Sequence, residues 1–324
     1  MKFKIILFSL IIGVLMGFSV TAHAATLTVP STTYPTIAAA MAADADGDIV
    51  SIAAGTYAED VAIDKSITFK CASSTGTVTI TGAALDATTI AISGSASSST
   101  IQNIALDISA NPAKVTVANP AVSVATGINS VRLYNSSFKI GAKANNAIQF
   151  NGAVSGWQIE NCTFDISTTS NSAIVFAGAA AVASMDILGN TFNGINGING
   201  VTDARMIWSK HTVTSLVGLN VTGNVVSKAT LQIDVDTTTP SNAPVHTINI
   251  AVNQFTESNA ILFQSTNAAG APTLSAGGVL AAAGDILIKG NHFGSTATNG
   301  NQQYAVKFDK WITADVSEPN IHVN

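Results

Sequence analysis

Short runs in which every second residue is apolar recur along this chain, separated by stretches rich in Ser, Thr, Ala, Gly and Asn. One run has the form apolar, any, small or Asn, polar, any, apolar. It reads Leu133-Tyr-Asn-Ser-Ser-Phe138, Ile159-Glu-Asn-Cys-Thr-Phe164, Ile187-Leu-Gly-Asn-Thr-Phe192, Val221-Thr-Gly-Asn-Val-Val226, Ile250-Ala-Val-Asn-Gln-Phe255 and Ile288-Lys-Gly-Asn-His-Phe293. A second, shorter run follows each one: Ala147-Ile-Gln-Phe150, Ala173-Ile-Val-Phe176, Met206-Ile-Trp208, Leu231-Gln-Ile233, Ala260-Ile-Leu-Phe263 and Ala305-Val-Lys-Phe308. Alternation over four or five residues predicts strands, and neither run carries a helical period. The spacing between repeats varies only in the polar stretches, as it does when loops on one side of a solenoid differ in length.

Two strands and their turns per repeat predict one coil of a parallel β-helix. A coil cannot bury its inward face alone, but equivalent positions on successive coils can stack. The pattern predicts one ladder of Phe150, Phe176, Trp208, Ile233, Phe263 and Phe308, and another of Phe138, Phe164, Phe192, Val226, Phe255 and Phe293. Asn190, Asn224, Asn253 and Asn291 fall where the chain must bend. There an Asn can bond neighbouring backbone and tolerate a left-handed conformation, and the preceding Gly189, Gly223 and Gly290 point the same way.

The ends read differently. Lys2 and Lys4, the apolar stretch Ile5 to Phe18 and Ala22-His23-Ala24 form a signal-peptide pattern, so residues 1–24 are expected to be cleaved after Ala24 and the chain exported, to the periplasm or beyond. No later apolar stretch has membrane length. Removing Lys2 and Lys4 makes the formal charge of −5 two units more negative. With Arg only at 132 and 205 there is no nucleic-acid footprint and no basic groove for a polyanion. Charged residues are only 10% of the chain, so Ser, Thr, Asn and Gln must wet its surface. Cys71 and Cys162 lie several coils apart, which at about 4.8 Å per coil is too far for a disulfide; two separate buried thiols are expected.

Residues 25–70 carry a distinct motif. It runs Tyr34-Pro35-Thr36-Ile37, an Ala-rich helix to Ala43, Gly47-Asp48-Ile49-Val50, Gly55-Thr56-Tyr57, Glu59, Val61, Ile63 and Lys65-Ser66-Ile67-Thr68. This stretch resembles the opening of many proteins of the pectin-lyase-like superfamily, with Cys71 standing where a Gly commonly follows. The resemblance covers about forty residues. It implies an all-β fold: a single-domain right-handed parallel β-helix over 25–324, with 25–70 forming an N-terminal capping α-helix and first coil. Residues 309–324, with Trp311, Ile312 and Pro319, are expected to close the other end. A weak closure there would allow end-to-end self-association in place of a monomer.

The chemistry is sparser. The pectinesterase-like, polygalacturonase-like and pectate-lyase-like signatures that the resemblance would bring are all missing. One region is denser than its surroundings. Asp203, Arg205, Lys210 and His211 flank the Trp208 strand, and Asp234 and Asp236 follow on the next coil. With Trp208 beside Ile233, Asp234 would lie near Ser209 and Asp236 near His211. Such a set could serve acid–base chemistry on a sugar, or it could be a solvated edge whose charges relieve one another. Trp157, Trp311 and Tyr304 read as core or end residues, and His246 and His292 lack metal-ligand spacing. Asp44, Asp46 and Asp48 resemble a fragment of a calcium loop, but turn chemistry explains them as well, so no cofactor is expected and calcium is the only metal in view.

Two classes of function follow. The first is an exported, non-catalytic solenoid that binds a polysaccharide or another cell-envelope or matrix component through one face. The second is a carbohydrate-active lyase, hydrolase or esterase with its site near residues 203–236. The two differ in whether Arg205, Lys210, His211, Asp234 and Asp236 converge in a groove or are dispersed and paired away.

Overall fold

The computed structural model describes residues 23–83, 88–109, 119–141, 146–166, 171–178, 181–195, 204–210, 213, 215–235, 245–257, 261–265, 286–294 and 305–309. The chain folds as a parallel β-solenoid. Its strands fall into three sheets of twelve, nine and nine strands, and every pairing is parallel. One winding shows the plan. Gln158–Glu160 lies in the first sheet, Thr163–Ile166 in the second and Ser172–Phe176 in the third. Ala181–Leu188 then returns to the first sheet and pairs with Gln158–Glu160.

Three strands per winding is one more than the alternation predicts. The first sequence run is two strands folded around a corner, with Leu133 in the first sheet and Phe138 in the second. The fold occurs because the residue at the corner is left-handed in winding after winding: Asn103, Asn135, Asn161, Gly189, Gly223, Val252 and Gly290 all have φ between 50° and 69°. One residue in that conformation reverses the alternation and starts a new strand.

The second-sheet ladder forms as predicted. Phe138, Phe164, Phe192, Val226, Phe255 and Phe293 are direct cross-strand partners in sequence. The rings of Phe138, Phe164 and Phe192 stack with centroids 4.9 Å apart, at an offset-stacking distance. The third-sheet ladder needs one correction. Phe150, Phe176, Ile233, Phe263 and Phe308 share a column, but Ser209 stands between Phe176 and Ile233 where Trp208 was expected. The register shifts between Arg205 and Ile207. Consecutive apolar pairs turn into the core at Ala147–Ile148, Ala173–Ile174 and Met206–Ile207. Trp208 is therefore carried to the outer face, opposite Val175 and Gln232.

The predicted corner asparagines are buried, and their amides form a continuous ladder. The Oδ1 of Asn224 accepts from the backbone N and Nδ2 of Asn190 at 2.8 and 3.0 Å, while its own Nδ2 donates to the Ile187 carbonyl at 2.9 Å. Asn253 and Asn291 repeat this pattern. Their function is to bond backbone; the left-handed residue is the one before each of them. Cys162 occupies the same column one winding earlier, donating its backbone N to Asn190 Oδ1. Burial pushes its thiol up to about 12. Cys71 and Cys162 are separate, buried and free, as expected.

The helix α1 (Ile37–Ala43) packs Ile37, Ala40 and Met41 inward, at helical spacing, against the first strands. Thr36 Oγ1 accepts from the Ala39 N, and the two carboxylate oxygens of Glu59 accept from the Ile37 and Ala38 N at 3.1 and 2.8 Å. Glu59 thus bonds amides that a helix start leaves without internal partners. No helix among the described residues is long and apolar enough to cross a membrane.

Candidate functional site

The candidate residues Arg205 and Asp234, with Trp208, lie on the third sheet, whose outer face they share. The buried apolar pairs that displace Trp208 also create this face. When two consecutive residues turn inward, side chains three apart reach the same outer surface. Asn146 Nδ2 donates to Gln149 Oε1 at 2.9 Å, Gln149 Nε2 donates to Asn151 Oδ1 at 2.7 Å, and Asn151 Nδ2 donates to Ser123 Oγ at 2.8 Å. Two windings further, Arg205 and Trp208 repeat the spacing, with the guanidinium carbon 4.2 Å from the ring centroid.

Arg205 is 8% exposed, and its Nε donates to Gln232 Oε1 at 2.7 Å. Lys210 Nζ lies 4.8 Å from the same indole centroid. Burial lowers the pKa of Lys210 below the ordinary lysine value, and the nearby charge of Arg205 lowers it further. Asp234 is 3% exposed and sits opposite Gln264, one position beyond Ile233. Its backbone carbonyl accepts from Ser209 Oγ at 3.4 Å, so its nearness to Ser209 holds although the register behind that expectation does not. Both Arg205 and Asp234 make further interactions beyond these. The Trp208 Nε1 and the Ser172 Oγ are buried with no hydrogen-bond partner.

The structure thus brings together Arg205 and Lys210, joined by Trp208 and Gln232. Asp203, His211 and Asp236 lie outside the described residues, as do Tyr304, Trp311 and the expected closing segment. Trp157 is core, its Nε1 donating to the Ile128 carbonyl at 2.7 Å. His292 is an exposed residue opposite Gln254. Gln232 was missed in the sequence; its signal was alternation, which puts it on the opposite face from Leu231 and Ile233.

The acidic turn uses two of its carboxylates on backbone and the third on a lysine. Asp48 accepts from the Ala25 and Ala45 N at 2.7 and 2.8 Å, Asp46 accepts from the Ser66 N, and Asp44 pairs with Lys65 Nζ at 2.6 Å. Among the described residues no three His, Cys, Asp or Glu side chains are grouped to hold a metal ion. No protein-family model, curated protein or solved structure matches the chain.

Proposed function

We propose that this chain is an exported, non-catalytic β-helix of the pectin-lyase-like kind, right-handed and capped by α1, that binds a polysaccharide or another cell-envelope component through the outer face of its third sheet. The supporting observation is that the two candidate cations among the described residues are engaged within the fold. Arg205 is bonded to Gln232 and rests on Trp208, where Lys210 joins it. Cations held this way stiffen an indole as a contact surface rather than waiting beside a reacting bond. An amide-rich strip beginning at Ser123 leads up to it. Neither a cofactor nor a nucleic acid has a place in this reading. The segment 1–24 acts as the export signal, and the solenoid works as a monomer or associates end to end.

The test is affinity electrophoresis of the mature chain through a panel of polysaccharides, together with product analysis. The expected result is retardation by at least one polymer, weakened at least tenfold by Trp208→Ala, with no reducing ends or unsaturated products. A second reading, a lyase, hydrolase or esterase at the same face, draws on the lowered pKa of Lys210, which suits a general base. Product release that Asp234→Ala abolishes would establish that reading and discard the first.

A further inference from the structure

The corner between the first and second sheets carries a second surface that shares no residue with the third-sheet face. A groove of about 370 Å³ runs across four successive windings there. Asn103, Asn135 and Asn161 lie along it, with the hydroxyls of Ser137 and Thr163 beside them. The loop containing Ser74 and Thr77 closes one end, pinned by Ser73 Oγ, which accepts from the Thr75 and Gly76 N. At the other end Gly189 contributes no side chain. A Cβ there would come within 2.8 Å of Asn161 Oδ1, so glycine leaves both the groove and the amide unobstructed.

The three asparagines are presented alike. Their φ values are 56°, 50° and 51°, and each backbone N donates to a carbonyl of the next winding, on Tyr134, Glu160 and Leu188 respectively. Similar backbone settings start the three side chains from the corner in the same direction, one per winding, at steps of about 4.8 Å. Among the described residues no group takes a hydrogen bond from, or gives one to, these three side-chain amides, unlike the buried amides of Asn190, Asn224 and Asn253. No Asp, Glu, Lys or Arg lines the groove.

We infer that this groove binds an uncharged, extended, β-1,4-linked glycan laid along the axis of the windings. Each amide offers a donor and an acceptor, a match for adjacent sugar hydroxyls. Sugar units of an extended chain advance by a length comparable to one winding, so each amide meets one unit; alternate units present opposite edges, and an amide that carries both a donor and an acceptor suits either. One amide per winding suits an extended chain better than one that coils, and the lack of any cation in the groove lining gives an acidic sugar nothing there to pair with. Many weak, evenly spaced contacts supply the affinity.

The experiment is isothermal titration of the full mature chain with cellohexaose, using maltohexaose and hexagalacturonate as controls. The test variant is Asn135→Gly combined with Asn161→Gly, which removes two amides while keeping a residue that accepts positive φ. Ser137→Leu, at an exposed position, is a second variant that obstructs the groove. Cellohexaose is expected to bind the parent chain and to lose at least tenfold in affinity in both variants, while neither control binds at the groove. The inference falls if cellohexaose does not bind the parent chain, or if it binds the double variant equally well. Loss of binding in Trp208→Ala alone would also overturn it, while leaving the third-sheet reading intact.

Discussion

The early and late windings solve the same corner with opposite placements of one side chain. In the early windings the left-handed position holds Asn103, Asn135 and Asn161, while the buried position after it holds Ile104, Ser136 and Cys162. In the late windings the left-handed position is Gly189, Gly223, Val252 or Gly290, and the buried one is Asn190, Asn224, Asn253 or Asn291. Amides therefore line the outside early and the inside late. Turned inward, an amide satisfies backbone groups of two neighbouring windings and holds the corner. Turned outward, it makes no side-chain hydrogen bond among the described residues. The early corner is instead held by smaller groups, such as the Ser136 Oγ that accepts from the Ile104 N at 3.3 Å.

Breaking the inner row is expected to cost most. Asn224→Ala leaves the buried Asn190 N without its acceptor, removes the amide bonds to Asn190 Nδ2 and the Ile187 carbonyl, and should lower stability by roughly 3 kcal/mol, read from urea unfolding. An unchanged midpoint would mean that the ladder is decoration.

Extending the row should help. Cys162→Asn places an amide where its Nδ2 can donate to the Leu133 carbonyl, which Cys162 Sγ approaches at 3.8 Å. A gain of about 1 kcal/mol is expected in the same assay. The two chains should also differ in alkali. In the parent, the folded thiol keeps its proton until about 12, while in the unfolded chain it ionises near its ordinary 9.0. Its contribution is present in full below pH 9 and is lost as pH rises through that window, because only the unfolded state gains from ionising. That loss should be absent from the pH–stability curve of Cys162→Asn.

Val252 is the exception to the late pattern, a β-branched residue at φ 56° with 64% of its surface exposed. Val252→Gly should raise stability by about 1 kcal/mol by relieving the left-handed strain, partly offset by the greater freedom of an unfolded glycine. The smallest effect belongs to the outer row. Asn135→Gly should shift stability by no more than about 0.5 kcal/mol, because the amide it removes has no partner among the described residues. A large destabilisation would show that the outer amides are structural after all.

Much of this was legible along the chain. Phe138, Phe164, Phe192, Phe255 and Phe293 announced their column because the same short run recurs around each. The Gly-Asn pairs announced the corner because only a few residue types suit it. Ser209 replacing Trp208 was not legible. Alternation counts residues, and it cannot foresee two consecutive apolar side chains turning inward. The meeting of Arg205 with Gln232, 27 residues away, depends on that same displacement.

The amino-acid order alone determined that windings form and which faces are greasy, because a periodic apolar pattern can be buried only by stacking on its own repeats. The tertiary structure alone decided which polar groups meet. A cross-strand neighbour is chosen by register, and register is set by the left-handed corners and by the shift after Arg205. A displacement of one residue sends a side chain to the opposite face.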